Sequence, residues 1–305
     1  MIVYLVRRLG LMLIVLWGVL TIVFFMQRLS GDPVDMLLPI DTPAAIRAEF
    51  RRELGLDRPL LIQYGRFLVG AVQGDLGDSY RLRQPALPLV LDRLPLTVFL
   101  AGSALLLAVL MAVPLGIVAA VRRNTVFDTL ASGVALVGQA TPVYWLGLLL
   151  ILVFSVRLGW FPSMGGGTAR AMVLPTITLA VYSMARITRL TRSAVLDVLR
   201  LDYVRVARSK GISERVVLYK HVLRNAAIPI VTMIGLQLGG LLGGAVLTEV
   251  VFSWPGMGRL AVNAVYNRDF PVVQSVALVG AVLFSFINLL VDLTYAALNP
   301  QVRLE

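Results

Sequence analysis

The chain has no cysteine, one histidine (His221) and two lysines (Lys210 and Lys220) among its 305 residues. Without cysteine there is no disulfide, no iron–sulfur cluster and no thiolate zinc site. One histidine leaves little room for a histidine-rich metal centre. Charge is scarce too: 15% of residues are Asp, Glu, Lys or Arg, against about 25% in soluble domains. Apolar residues fill the gap, at 58% of the chain, with a mean hydropathy of +0.84. They fall in long blocks, which argues against an ordinary soluble protein and for a polytopic all-α membrane domain.

Catalytic patterns are missing as well. There is no H-E-x-x-H, no G-x-S-x-G and no paired carboxylate inside an apolar block. No G-x-x-x-x-G-K-[ST] phosphate loop occurs, and the glycine run Gly165–Gly167 leads to Thr168 without a lysine. The expectation is a protein that is not itself an enzyme and carries no cofactor or metal. If ATP drives its work, another polypeptide binds it.

Five uncharged stretches are present: Leu9–Met26, Leu96–Val121, Thr129–Val156, Asn225–Thr248 and Phe270–Val291. About 20 apolar residues, rising about 1.5 Å each, cross a hydrocarbon core of roughly 30 Å. A sixth candidate, Ala171–Ala185, is shorter and ends at Arg186, where Arg186 and Arg189 can snorkel to the interface. Six spans keep both ends of the chain on one side. The first run is longer than the 7–15 residues usual in a signal peptide, and no A-x-A site follows it, so an uncleaved helix is expected.

The net charge of +11 reads as topology rather than nucleic-acid binding. Arg7 and Arg8 precede the first span. Between Arg186 and Arg224 lie ten Lys/Arg and three acids, Asp197, Asp202 and Glu214. By the positive-inside rule, both termini and the 186–224 loop are expected to be cytoplasmic. The segment from Arg28 to Arg93, with nine basic and nine acidic residues, is then exported. Ile62, Tyr64, Phe67 and Leu68 form an amphipathic run in it, suited to a small cap that covers the spans or touches a partner. The expected organisation is a first helix (1–29), the exported cap (30–95), a five-helix core (96–298) carrying the loop 186–224, and a tail (299–305).

Pro114, Pro142, Pro175 and Pro229 interrupt or begin spans and are expected to kink them or need partners. Gly235, Gly239 and Gly243 recur every four residues, with Gly240 and Gly244 one position along. That spacing lines a helix face with glycine, for packing within the chain or against a second membrane subunit. Glu249 and Asp292 sit at span ends, where a carboxylate can cap or reach water. The absence of ionisable groups mid-span counts against an ion-coupled carrier.

Residues 202–225, DYVRVARSKGISERVVLYKHVLRN, read as two short amphipathic helices broken at Gly211. Asp202 is the expected N-cap of the first, with Tyr203, Val206 and Ala207 on one face and Gly211 as its C′ residue. Ser213 caps the second, with Glu214 in its first turn. Such a pair lies on the bilayer or docks a cytoplasmic partner.

This segment resembles the EAA-type loop of permease subunits of binding-protein-dependent ABC importers, and more narrowly the dipeptide/oligopeptide/nickel family. The supporting motifs run along nearly the whole chain. They are Gly31-Asp32-Pro33, Leu54-Gly55-Leu56-Asp57 with Pro59, and Gly74-Asp75-Leu76-Gly77. Further on come Asp202-Tyr203, Ala207-Arg208, Lys210-Gly211, Lys220-His221 and Leu223-Arg224-Asn225-Ala226. Phe252-Ser253-Trp254-Pro255-Gly256 with Gly258-Arg259, Arg268-Asp269 with Pro271, and Asn299-Pro300 complete the set. The chain departs from the general loop pattern, having Arg205 in place of its opening Glu and Arg224 in place of its closing Pro. The contact made by that Glu is therefore not carried over; Arg224 is what the peptide-type branch shows.

The resemblance implies a type I ABC importer permease bundle in a bacterial or archaeal cytoplasmic membrane. It implies a second permease, two ATPase subunits and an extracytoplasmic binding protein as partners. The substrate implied is a di- or oligopeptide first, then glutathione-like peptides, then nickel. Tyr203, Ala207, Lys210, Gly211, Ser213 and Glu214 would form the ATPase-docking loop, and Gly235, Gly239 and Gly243 the packing face toward the second permease. An ion-coupled carrier working without ATPases is the alternative.

Overall fold

The computed structural model describes residues 2–29, 34, 38–39, 41–53 and 55–298. Gly31-Asp32-Pro33, Leu54, Asn299-Pro300 and the rest of the tail 299–305 lie outside the described residues. Among those described the fold is helical, with one isolated antiparallel bridge, Asp78 to Pro85. The helices are α1 (Ile2–Leu29), α2 (Ala44–Glu53), α3 (Leu60–Gln73), α4 (Ala86–Val121), α5 (Val126–Ala140) and α6 (Val143–Leu150), which runs on as a π-helix over Ile151–Arg157. Then come α7 (Ala169–Leu199), α8 (Asp202–Ser209) and α9 (Glu214–Val216). A second π-helix (Val217–Val222) leads into α10 (Leu223–Val251), followed by α11 (Met257–Tyr266) and α12 (Phe270–Leu298).

Among the described residues five helices are long and apolar enough to cross a membrane, and α5 with α6 and its π-helix, bent by 101°, makes a sixth when the pair is counted as one span. Thr129–Val156, expected as one span, is thus broken. The cause is local: Thr141, preceding Pro142, is forced out of the helical region (φ −78°, ψ 123°) and the helix ends there. Pro114, Pro175 and Pro229 lie inside unbroken helices. The short candidate at Ala171–Ala185 proves to be part of a 31-residue helix, α7. It is the least apolar span, yet 56% of its best window is buried, against 11% for α1. Protein rather than lipid covers α7, which is why it tolerates so many hydroxyls and arginines.

The chain packs into two compact units. The first joins Met1–Pro95 to Gly256–Ser285. Its core gathers Ala86, Val90, Met257, Ala264, Val272 and Val279. Within it Tyr64 and Phe67 of α3 stack on Phe24 of α1 at 5.2 and 5.4 Å. Ile62, expected on the same face, is exposed; one helical turn brings Tyr64, Phe67 and Leu68 round instead. Asp269 is buried and accepts hydrogen bonds from Ser79 Oγ (2.5 Å) and Tyr80 N–H (3.1 Å). Arg81 Nη1 donates to Asn267 Oδ1 at 2.6 Å. Burial raises the Tyr80 phenol above its ordinary value of 10.0, opposed by Arg28 and reinforced by Asp269.

The second unit holds Leu96–Pro255 and Phe286–Glu305. Its core packs Leu100, Ala101, Ala104, Ala108 and Ala112 of α4 with Leu179, Ala180 and Ile187 of α7, Leu241 and Ala245 of α10, and Trp254. The small alanines bring backbones close, as membrane helices require when no hydrophobic effect drives them together. Gly116 marks one such close approach: a Cβ there would lie 2.6 Å from Thr191 Cβ and 2.8 Å from the Thr188 carbonyl.

Candidate docking loop and permease faces

The stretch 186–224 is only partly a loop. Its first third continues α7 to Leu199, because the arginines that break the apolar pattern have partners. Arg186 Nη2 donates to Tyr182 Oη (2.5 Å) and Arg189 Nη1 to Gln139 Oε1 (2.5 Å). Arg192 grips Asp128 of α5 with both prongs, at 2.5 and 2.8 Å.

After a turn at Arg200–Leu201 comes α8, strongly amphipathic, with Val204 and Ala207 buried. Leu201, not Asp202, is the N-cap; Asp202 is the first helical residue and pairs with Arg205 at 3.0 Å. The buried pair differs from the expected face as well. Tyr203 and Val206 are 40% and 51% exposed, while Val204 and Ala207, three apart, point into a cluster with Ala120, Val195, Val217, Val222, Ala226 and Ile230. Ala207 therefore serves close packing within the chain.

Lys210 ends α8 and Gly211 follows at φ +75°, a left-handed conformation that glycine alone adopts without strain. The N–H of Gly211 donates to Arg208 O at 2.9 Å. Ser213 occupies the N-cap of α9 with no side-chain capping bond. Glu214 is held by Arg208, at 2.7 and 3.2 Å, across the Gly211 turn. Tyr203, Lys210, Gly211, Ser213 and Glu214 thus lie exposed on one turn-and-two-helices element, with Val206, Val216 and Tyr219 adding apolar surface. An exposed patch of aromatic, aliphatic and basic side chains on a rigid frame suits a protein contact.

Two further features here have no signature in the amino-acid pattern. The second helix starts as one α-turn and becomes π-helical over Val217–Val222. At its end Asn225 Nδ2 donates to the His221 carbonyl (2.9 Å) and to Tyr203 Oη (2.8 Å), and Tyr203 Oη donates to that same carbonyl (3.2 Å).

The glycines of α10 divide. A Cβ on Gly235 would lie 2.6 Å from Val291 of α12, and Gly239 is buried, whereas Gly243 and Gly240 are exposed with open space beside them. Part of the stripe packs within the chain and part faces outward. Glu249, expected to cap or reach water, is fully buried and accepts from Thr97 Oγ1 at 2.6 Å. Just beyond it Trp254 N–H donates to the Glu249 carbonyl (2.8 Å) and Trp254 Nε1 to Leu96 O (3.3 Å). Trp254 walls an apolar hollow of about 690 Å³ with Leu96, Phe99, Met172 and Thr176. Among the described residues no group of acidic or histidine side chains is arranged to hold a metal.

Comparison with known proteins decides the family. Residues 112–304 match the binding-protein-dependent transport system inner membrane component, and residues 1–101 match the N-terminal region of such membrane components. The chain belongs to this permease family. It is 44% identical over 301 residues to the glutathione transport system permease protein GsiC of Escherichia coli O6:H1, covering 98% of each chain. The GsiC of Salmonella typhimurium is 42% identical over 297 residues, 97% of each. Among solved structures, the MetNI methionine ABC transporter in inward-facing conformations matches with a TM-score of 0.60 at 18% identity. That match covers 69% of this chain and 96% of that one. An amino acid ABC transporter crystallised with histidines matches at 0.57 and 21% identity, over 69% and 94%. At these identities the structures speak to the fold alone, and that fold is the ABC importer permease bundle.

The protein is therefore a permease subunit of an ABC importer, multi-pass in the cytoplasmic membrane. ATP hydrolysis belongs to separate ATPase subunits. Membership implies those subunits, a binding protein and a second permease as partners. The ion-coupled carrier is replaced by this reading.

Proposed function

We propose that this permease forms half of the translocation path for glutathione or closely similar short peptides, delivered by an extracytoplasmic binding protein. The observation that carries it is the 44% identity to a glutathione permease along essentially the whole of both chains. Glutathione thereby moves ahead of the longer peptides and nickel that the motifs left open. The uncharged spans fit a path that leaves selection to the binding protein.

In this reading both termini and the α8–α9 turn face the cytoplasm, as the net basic charge of that region favours. Residues 30–95 lie on the outer side. Tyr203, Lys210, Gly211, Ser213 and Glu214 contact an ATPase, while Ala207 seats α8 on the permease. Gly240 and Gly243, open-faced on α10, are the glycines available to a second permease; Gly235 and Gly239 back them. ATP-driven closure of the ATPases then rocks the spans between inward- and outward-facing states.

The test is uptake of labelled glutathione by cells lacking and then regaining this gene, with dipeptides and Ni²⁺ as competitors. Uptake restored by the gene, abolished by ATP depletion and insensitive to Ni²⁺ supports the proposal. Restored uptake of longer peptides without glutathione would contradict it. Gly211→Val is expected to insert normally yet lose uptake while ATP hydrolysis continues.

A further inference from the structure

We infer that Tyr203 and Asn225 are positioning residues that lock the docking helix to the base of α10, so that the two move as one piece. The inference rests on reading the α8–α9 turn as the ATPase contact. Three observations carry it. First, α8 is held to the π-helical stretch and to α10 on its buried side by Val204 and Ala207 against Val217, Val222, Ala226 and Ile230. Apolar packing of this kind resists separation but allows sliding and rolling.

Second, at the solvent-exposed edge of that apolar face a closed triangle of hydrogen bonds forms. Asn225 spends one amide hydrogen on the His221 carbonyl (2.9 Å) and the other on Tyr203 Oη (2.8 Å), and the phenol hydrogen returns to the same carbonyl (3.2 Å). Each donor hydrogen has one acceptor and the distances are all within hydrogen-bonding range. Directional bonds along the edge of a slippery apolar face remove the sliding and rolling that packing leaves free.

Third, the triangle sits where the rod is weakest. Val217–Val222 is π-helical, a wider and less regular form than the α-helix on either side. A push delivered at Gly211–Glu214 has to pass through this stretch to reach α10. The triangle bridges it: Tyr203 precedes the Gly211 turn, and His221 and Asn225 lie at the far end of the π segment. The device makes the irregular stretch a strut rather than a hinge.

The experiment uses the complete complex, with its ATPases and second permease, in lipid nanodiscs. Because the chain has no cysteine, spin labels go cleanly onto Leu201→Cys and Leu236→Cys, both about half exposed. In the wild type their separation is expected to be the same with and without ATP–vanadate, within the roughly 1–2 Å of ordinary helix adjustment. In Tyr203→Phe and Asn225→Ala it broadens and becomes state-dependent. Labelled glutathione carried per ATP hydrolysed falls roughly fivefold, the factor one ordinary hydrogen bond supplies. The double variant is no worse than either single one, since both remove the same node. A wild-type separation that shifts by several times that helix adjustment between states overturns the inference, as do variants that leave distance and coupling unchanged. Ser213→Cys crosslinking checks the underlying reading separately: no crosslink to an ATPase sinks the docking assignment, whereas a crosslink with unaltered variants sinks only the lock.

Discussion

Two buried aspartates, one in each compact unit, solve the same problem differently. Asp128, 5% exposed, meets a guanidinium: Arg192 reaches it from α7 with two bonds and ties α5, the first arm of the broken span, to α7. Asp269, 4% exposed, is held by Ser79 Oγ and Tyr80 N–H and pins the short bridge at Asp78–Pro85 to the α11–α12 turn. The first is an ion pair whose loss strands a charge in a poorly solvated place. The second is a set of charge-assisted bonds from neutral donors, whose loss frees a surface turn. The difference teaches where each unit can yield: the span at great cost, the segment before α4 at less.

The largest expected effect breaks the ion pair. Arg192→Ala should destabilise the permease by about 3 kcal/mol, because Asp128 loses both charge-assisted bonds and keeps the Asn124 N–H and the more distant Ser132 hydroxyl. A thermal unfolding series in detergent would read this as a large drop in Tm. Asp128→Leu together with Arg192→Met should recover most of it.

Next comes Asp269→Ala, expected to cost about 2–3 kcal/mol by removing two bonds to a carboxylate. Limited proteolysis should then cut within residues 78–85, while the α5–α7 contact survives. Equal protease resistance of wild type and variant would show that the bridge does not depend on Asp269.

Serines sharpen the contrast. Ser79 donates to Asp269 at 2.5 Å, whereas Ser132 lies 3.5 Å from Asp128. Ser79→Ala should cost about 1.5–2 kcal/mol and Ser132→Ala less than about 0.5 kcal/mol. Matching losses in chemical denaturation would mean that distance is a poor guide at these two sites.

The smallest effect is one of pH. Burial holds the Tyr80 phenol protonated above its ordinary value of 10.0. A raised folded-state pKa gives a stabilisation that is whole below pH 10 and lost as pH rises through the folded value. Tyr80→Phe should therefore flatten the alkaline side of the stability curve and leave neutral pH nearly untouched. Melting curves from pH 8 to about 11 would show it.

The spans and the two short helices about Gly211 were legible in the sequence because they depend on local pattern: uncharged runs, a glycine between two amphipathic segments, a basic stretch. What was hidden depends on partners far along the chain. Arg186, Arg189 and Arg192 read as the edge of a loop, yet Tyr182, Gln139 and Asp128 let α7 carry them within its 31 residues. Glu249 read as a span end near water, but Thr97, 152 residues away, holds it in the interior. Periodicity put Tyr203 on one face of α8 with Val206 and Ala207. Its real role needs Asn225 and the π-helical stretch, which no propensity announces. Pro142 looked like Pro114, Pro175 and Pro229, and only it ends a helix.

The central claim is that this chain works only as one subunit of an ATP-driven importer. The most direct measurement is affinity purification from native membranes in mild detergent, followed by mass spectrometry of the companions. The expected result is a second permease of the same family and one or more ATPases with phosphate-binding loops, joined by a binding protein when glutathione is supplied. Recovery of the chain alone, unchanged after crosslinking in the membrane, would contradict the account.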